Sequence, residues 1–152
     1  MENSGKRGLI VVGIDGSPAS SAALRWALDQ AVLTGAEVEA ITARAREAAF
    51  VPATSMGVFP YAEKHHDHPV RELHEMVREA CSRLDDAPEV IEVVEVGDAA
   101  TELVRASHHA KLLVLGARGL NRAAEALLGS VVGDCLRRSA CPVVVVPHTS
   151  TK

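Results

Sequence analysis

Apolar residues along this chain alternate between short unbroken runs and longer stretches with an apolar position every three or four residues. The unbroken runs are Leu9 to Ile14, Val38 to Ala43, Leu112 to Leu115 and Val143 to Val146. Short apolar runs without polar alternation predict strands buried on both faces, as in a parallel sheet. A further strand is predicted at Glu89 to Val96, where Glu89, Glu92 and Glu95 interrupt the valines. Charges so placed suit an edge strand that must not recruit a neighbour. Between the strands, Ser17 as cap, Pro18 at the first helical position and Gly35 as stop predict a helix to about Leu33. Its apolar residues include Leu24, Trp26, Ala27, Leu28, Ala31 and Val32. Val70, Leu73, Val77, Ala80 and Leu84 form a stripe that predicts an amphipathic helix also burying Cys81. Asp98 is placed to cap a helix over Ala99 to His109, and Ser130 to cap one over Val131 to Leu136. Residues Arg44 to Pro69 hold three prolines, Gly57 and a histidine cluster without a clear period, and read as a long loop.

Alternating strands and helices predict a single α/β domain over residues 9–147, with a disordered N-terminal segment at 1–8 and a C-terminal tail at 148–152. Right-handed crossovers restrict the topology, and the simplest arrangement is an open parallel five-stranded sheet of order 3-2-1-4-5 with helices on both faces. In that order strands one and four are neighbours with a crevice at their carboxyl ends. Asp15 and Gly116 both follow those ends, so features 101 residues apart converge on one place.

At 152 residues the chain can bury one core, and its 47% hydrophobic content with only 3% aromatic residues predicts thin, closely packed layers. The net charge of −4 argues against a general nucleic-acid binder. Met1 to Gly8 lacks the apolar centre of a signal peptide, and no run approaches membrane-spanning length, which places the protein in the cytoplasm, off the membrane. Cys81, Cys135 and Cys141 form no Cys-x-x-Cys pair and read as reduced thiols.

The strongest chemical signal is Gly116-Ala117-Arg118-Gly119, with Gly129-Ser130 following after nine intervening residues. A strand that opens into spaced glycines and then a helix start offers bare main-chain N–H groups to an anion. Glycine suits Gly116, Gly119 and Gly129 on two grounds: cheap positive φ, and close approach of phosphate oxygens to the backbone. A β-branched residue at Gly116 or Gly129 is therefore expected to remove binding while the fold survives.

Val11-Val12-Gly13-Ile14-Asp15-Gly16-Ser17, the Gly-x2-Gly-x9-Gly-Ser spacing and Ala140-Cys141-Pro142 with the following valines resemble the universal stress protein family along essentially the whole chain. The intact glycine signature resembles that of the ATP-binding members, so the likeness implies ATP, with Mg2+ or Mn2+. Carried over by position, it implies a nucleotide site of Gly13, Ile14, Asp15, Ala43, Leu115, Gly116, Arg118, Gly119, Gly129, Ser130 and Val131. Asp15 would contact the metal, and the main chain at Ala43 would face the adenine. Ala117 departs from the commoner serine of the family, and Arg137-Arg138 stands where histidine is frequent. The uncharged Val143, Val144, Val145 and Val146 would form an exposed sheet edge, which, with the family likeness, implies a homodimer through the last strand.

Other constellations carry less. His65-His66-Asp67-His68, with His74, has metal-ligand types, but adjacent histidines converge poorly on one ion and a solvated loop is the default. His108-His109 sits where a helix end favours such side chains. Neither a Gly-x-Ser-x-Gly elbow nor a Gly-x4-Gly-Lys-Ser/Thr loop is present. The sequence thus reads as an ATP-binding stress-response protein acting by nucleotide-dependent association, with at most weak ATP hydrolysis. The alternatives are a slow ATPase or nucleotidyl-transfer enzyme on the same fold, and an interaction module without ATP.

Overall fold

The computed structural model describes residues 7–44, 68–117 and 129–148. Its strands are β1 (Leu9–Gly13), β2 (Glu37–Arg44), β3 (Val90–Val96), β4 (Leu112–Gly116) and β5 (Val143–Val146), and its helices are α1 (Pro18–Thr34), α2 (Pro69–Ser82), α3 (Ala99–Ser107) and α4 (Ser130–Arg138). The strands form one parallel sheet of order β3-β2-β1-β4-β5. The glutamate-bearing strand β3 is at one edge, as its charges require, and the valine strand β5 is at the other.

Alternation along the buried strands sends neighbouring side chains to opposite sides of the sheet, so the core is divided in two. Ile10, Val12, Val38 and Ala40 pack with α1 and α2 through Leu24, Leu28 and Leu73. Val11, Ile41, Leu113 and Leu115 pack with α3 and α4 through Leu103, Val132 and Cys135. Burial pushes the Cys135 thiol up to about 11, with help from the Asp134 carboxylate, which keeps it protonated and inert at neutral pH. All three cysteines are free.

Local signals set most element ends. Ser17 adopts extended backbone and caps α1 through Ser20 N–H at 3.1 Å, Pro18 opens the helix, and Gly35 closes it in the left-handed region at φ 73°. The Asp98 carboxylate accepts from Thr101 N–H at 2.9 Å and caps α3. That helix stops at Ser107, short of the predicted His109, where the chain tightens into a turn at His108 and His109. Strand β2 runs through Arg44, which the loop reading had included, because Gly97 N–H donates to its carbonyl and extends the ladder. Val32 and Val70 are half exposed, and Cys81 and Leu84 are only partly buried against the core. Residues 45–67, with His65, His66 and Asp67, lie outside the described residues, as do 1–6 and 149–152. His74 pairs with Glu92 at 3.0 Å. Among the described residues no side-chain cluster could hold a metal ion on its own, and no helix is long and apolar enough to cross a membrane.

Candidate functional site

A crevice of about 150 Å3 opens at the carboxyl ends of β1 and β4. The chain order places it there, since α1 leaves β1 toward one face and α4 approaches β5 on the other. Its first wall is the β1–α1 turn. Ile14 is pinned to β2 by its N–H donating to the Ile41 carbonyl at 2.8 Å and by Thr42 Oγ1 donating to its own carbonyl at 3.0 Å. Gly16 at φ 82° then reverses the chain, and Ser17 N–H donates to Asp15 Oδ1 at 2.9 Å. This fixes the carboxylate at the crevice mouth with its other oxygen free of that bond. Partial burial works to raise the Asp15 carboxyl, but hydrogen bonds from the Ser17 side chain and backbone and from Ser20 prevail and hold it below the ordinary carboxylate range.

The structure brings Gly13, Ile14, Asp15 and Ala43 to the lining from the β1–β2 side, and Leu115, Gly116, Gly129, Ser130 and Val131 from the β4–α4 side. Arg118 and Gly119 lie outside the described residues. One ground expected for the glycines, positive φ, does not hold. Neither Gly116 nor Gly129 has positive φ; Gly129 sits at φ −56° and ψ 159°. At Gly116 the absence of a side chain serves the fold instead, because a Cβ would collide with the Ala19 carbonyl and lie 2.7 Å from Ser20 N. A β-branched residue there would push α1 off the sheet, so the fold would not survive it intact. Gly13 likewise admits the side chains of Leu115 and Leu103, which a Cβ would meet at 2.7 and 3.0 Å.

Ser130 is the other correction. It is the first residue of α4 rather than its cap; Gly129 holds the cap position, and no side chain among the described residues caps the helix. Ser130, Val131 and Val132, the first turn of α4, line the crevice, and their main-chain N–H groups have no side-chain acceptor among the described residues.

Sequence reasoning missed Ser17, Ser20, Ile41, Ala99, Leu103 and Val132 as lining residues. Ala99 and Leu103 had a signal. A helix starting at the carboxyl end of β3 must cross toward β4, and its first inward positions, four residues apart, then reach the crevice. Ile41, Leu103, Leu115 and Ile14 make one side apolar, while the helix ends supply polar main chain. Asp15 is the single titratable group among the described lining residues. The site can hold a flat apolar group and an anion together.

A family model, that of the universal stress protein family, matches residues 7–147. The chain belongs to the universal stress protein family. The universal stress protein Rv2623 of Mycobacterium tuberculosis is 35% identical over 140 residues, covering 90% of this chain and 46% of that protein. The chain thus spans about half the length of the curated relatives it matches. Among solved structures, a universal stress protein in complex with cAMP is 32% identical, with a TM-score of 0.66, covering 95% of this chain and 98% of that one. The universal stress protein UspA of Lactobacillus plantarum, at 22% identity, shares the fold with a TM-score of 0.72, covering 91% of this chain and 97% of that one.

Proposed function

We propose that this universal stress protein binds an adenine nucleotide in the crevice, with the base on the apolar side and a phosphate on the first turn of α4. The observation that carries this reading is the start of α4, which no described side chain caps and which lines the same cavity as Asp15. Helix N-terminal amides and the helix dipole favour an anion, and a chain without its own capping acceptor leaves that place to a ligand. The related structure solved with cAMP supports an adenine nucleotide as the ligand class.

The triphosphate form, ATP with Mg2+ or Mn2+, rests on the glycine spacing and on Asp15. A carboxylate beside a polyphosphate is repulsive unless a cation bridges them, and a carboxyl held below its usual range stays charged to do so. The same low basicity makes Asp15 a poor proton acceptor, which favours holding nucleotide over turning it over. The protein is proposed to act in the cytoplasm by nucleotide-dependent association, as a homodimer through β5. A second reading, cAMP as the resident ligand, is favoured by the 32% identical complex. Mass spectrometry of nucleotide released from the freshly purified protein, followed by calorimetric titration with ATP, with and without magnesium, and with cAMP, decides between them. Tighter, magnesium-dependent ATP binding supports the first reading. Tighter cAMP binding indifferent to magnesium supports the second. Binding of neither overturns both.

A further inference from the structure

Helices cover the two sides of the sheet unequally. On the first side, α1 packs over β4, β1, β2 and β5, and α2 over β3 and β2; on the other, α3 packs on β2, β1 and β4, and α4 on β5. Among the described residues, β3 and the start of β2 are left without a helix over them on that second side. The register identifies what stands there. Ile41 and Val93 are paired and both belong to the α3–α4 core, so the alternate positions Glu39 with Ile91, and Glu37 beside Leu9, share that face. Ala43 and Glu95 continue the series above them. Ile91, the second residue of β3, is 43% exposed, and Glu37, Glu39 and Glu95 make no ion pair with any described residue. Among the described residues, the strip is therefore an apolar residue ringed by carboxylates without an ion pair, on a part of the sheet that no described helix covers.

The last turn of α4 carries the complement. Leu136 is 47% exposed, and Arg137 and Arg138 follow it. Arg137 pairs with Asp134 of its own helix, whereas Arg138 makes no ion pair among the described residues, although its charge reaches Asp98. An exposed leucine flanked by two guanidinium groups matches an exposed isoleucine flanked by three carboxylates in both polarity and sign.

We propose that the strip around Glu39 and Ile91 docks the C-terminal turn of α4 from a second copy of this chain. The contact supplies the helix that this part of the sheet lacks. It is independent of β5, which lies at the opposite edge, and of whatever the crevice binds. Arginine suits the role because its planar fork can serve two carboxylates at once, and Glu37 and Glu39 project on the same face two residues apart on one strand.

Sedimentation equilibrium tests it, run on a Val144→Lys/Val145→Lys background that removes β5 pairing. Self-association should persist there and weaken with salt. Glu39→Arg and Arg138→Glu should each weaken it about tenfold or more, and combining them should restore it, because the opposite charges then meet again. Glu39→Gln, which keeps the side chain's shape, should weaken it less than Glu39→Arg. Circular dichroism confirms that each variant is folded. A background protein that stays monomeric at every concentration overturns the proposal, and so does association indifferent to Glu39→Arg or not restored in the double variant.

Discussion

Of the helix N-termini at the crevice, those of α1 and α4 are satisfied in opposite ways. At α1 the chain satisfies itself: Ser17 N–H goes to Asp15, Ser20 N–H goes to Ser17 Oγ, Pro18 has no N–H, and only Ala19 among the first three helical residues remains. At α4 the cap is Gly129, with no side chain to accept anything. The same crevice thus has one closed helix end, which fixes geometry, and one that is open among the described residues, where the proposed phosphate would sit. A glycine cap in place of a side-chain acceptor forgoes roughly a few tenths of a kcal/mol of stability. That cost is placed at the one helix start where a bound phosphate would offset it, which is how a binding site differs from a merely well-built turn.

The sharpest way to break the contrast is to close the open end. Gly129 has backbone angles that any residue adopts, so Gly129→Asp can cap α4 with its own carboxylate. Stability should rise by a few tenths of a kcal/mol while nucleotide affinity falls by about a hundredfold or more, since a carboxylate then occupies the phosphate's place. Urea unfolding and calorimetric titration read the two effects, and their opposite signs distinguish site closure from damage. Opening the closed end should do the reverse. Ser17→Ala should cost about 1 kcal/mol of stability and leave the affinity for AMP almost where it was.

The smallest effect concerns Asp15. Its folded carboxyl titrates below the ordinary value, so the charged form stabilises the fold above the usual carboxylate range, and that contribution disappears as pH falls through the depressed value. Asp15→Asn keeps an acceptor for Ser17 N–H but no charge. Wild type should therefore exceed the variant in stability near neutral pH, and the difference should shrink as pH falls below the unfolded carboxyl's value of about 3.9 and close only below the depressed folded value. A difference that widens in acid would contradict the sign. The same variant should lose the magnesium dependence of ATP binding.

The closed end was legible in the sequence and the open end only half so, for a physical reason. Ser17, Pro18 and Gly35 act through their immediate neighbours, so residue type and spacing are enough to read them. Sheet order followed from the alternation of runs and stripes with the handedness rule, and the edge position of β3 from its glutamates. Gly129-Ser130 was found by spacing, but which of the two caps the helix depends on where α4 docks against Leu103 and the sheet, and that is not a local property. Gly116 is the clearer case: what it accommodates is the backbone of Ala19 and Ser20, 97 and 96 residues earlier, and no motif within its own loop records that contact. Ile41 and Leu103 were missed because a lining residue and a core residue look the same in sequence.

The central claim, that the amides of α4 hold a phosphate, is tested most directly by titrating adenosine, AMP and cAMP in turn into the wild-type protein and into Gly129→Asp. The predicted result is a gain of about tenfold or more on adding the first phosphate to adenosine in the wild type, and loss of that gain in the variant while the weak adenosine binding persists. Adenosine binding as tightly as AMP in the wild type, or a phosphate gain that survives Gly129→Asp, would contradict the account.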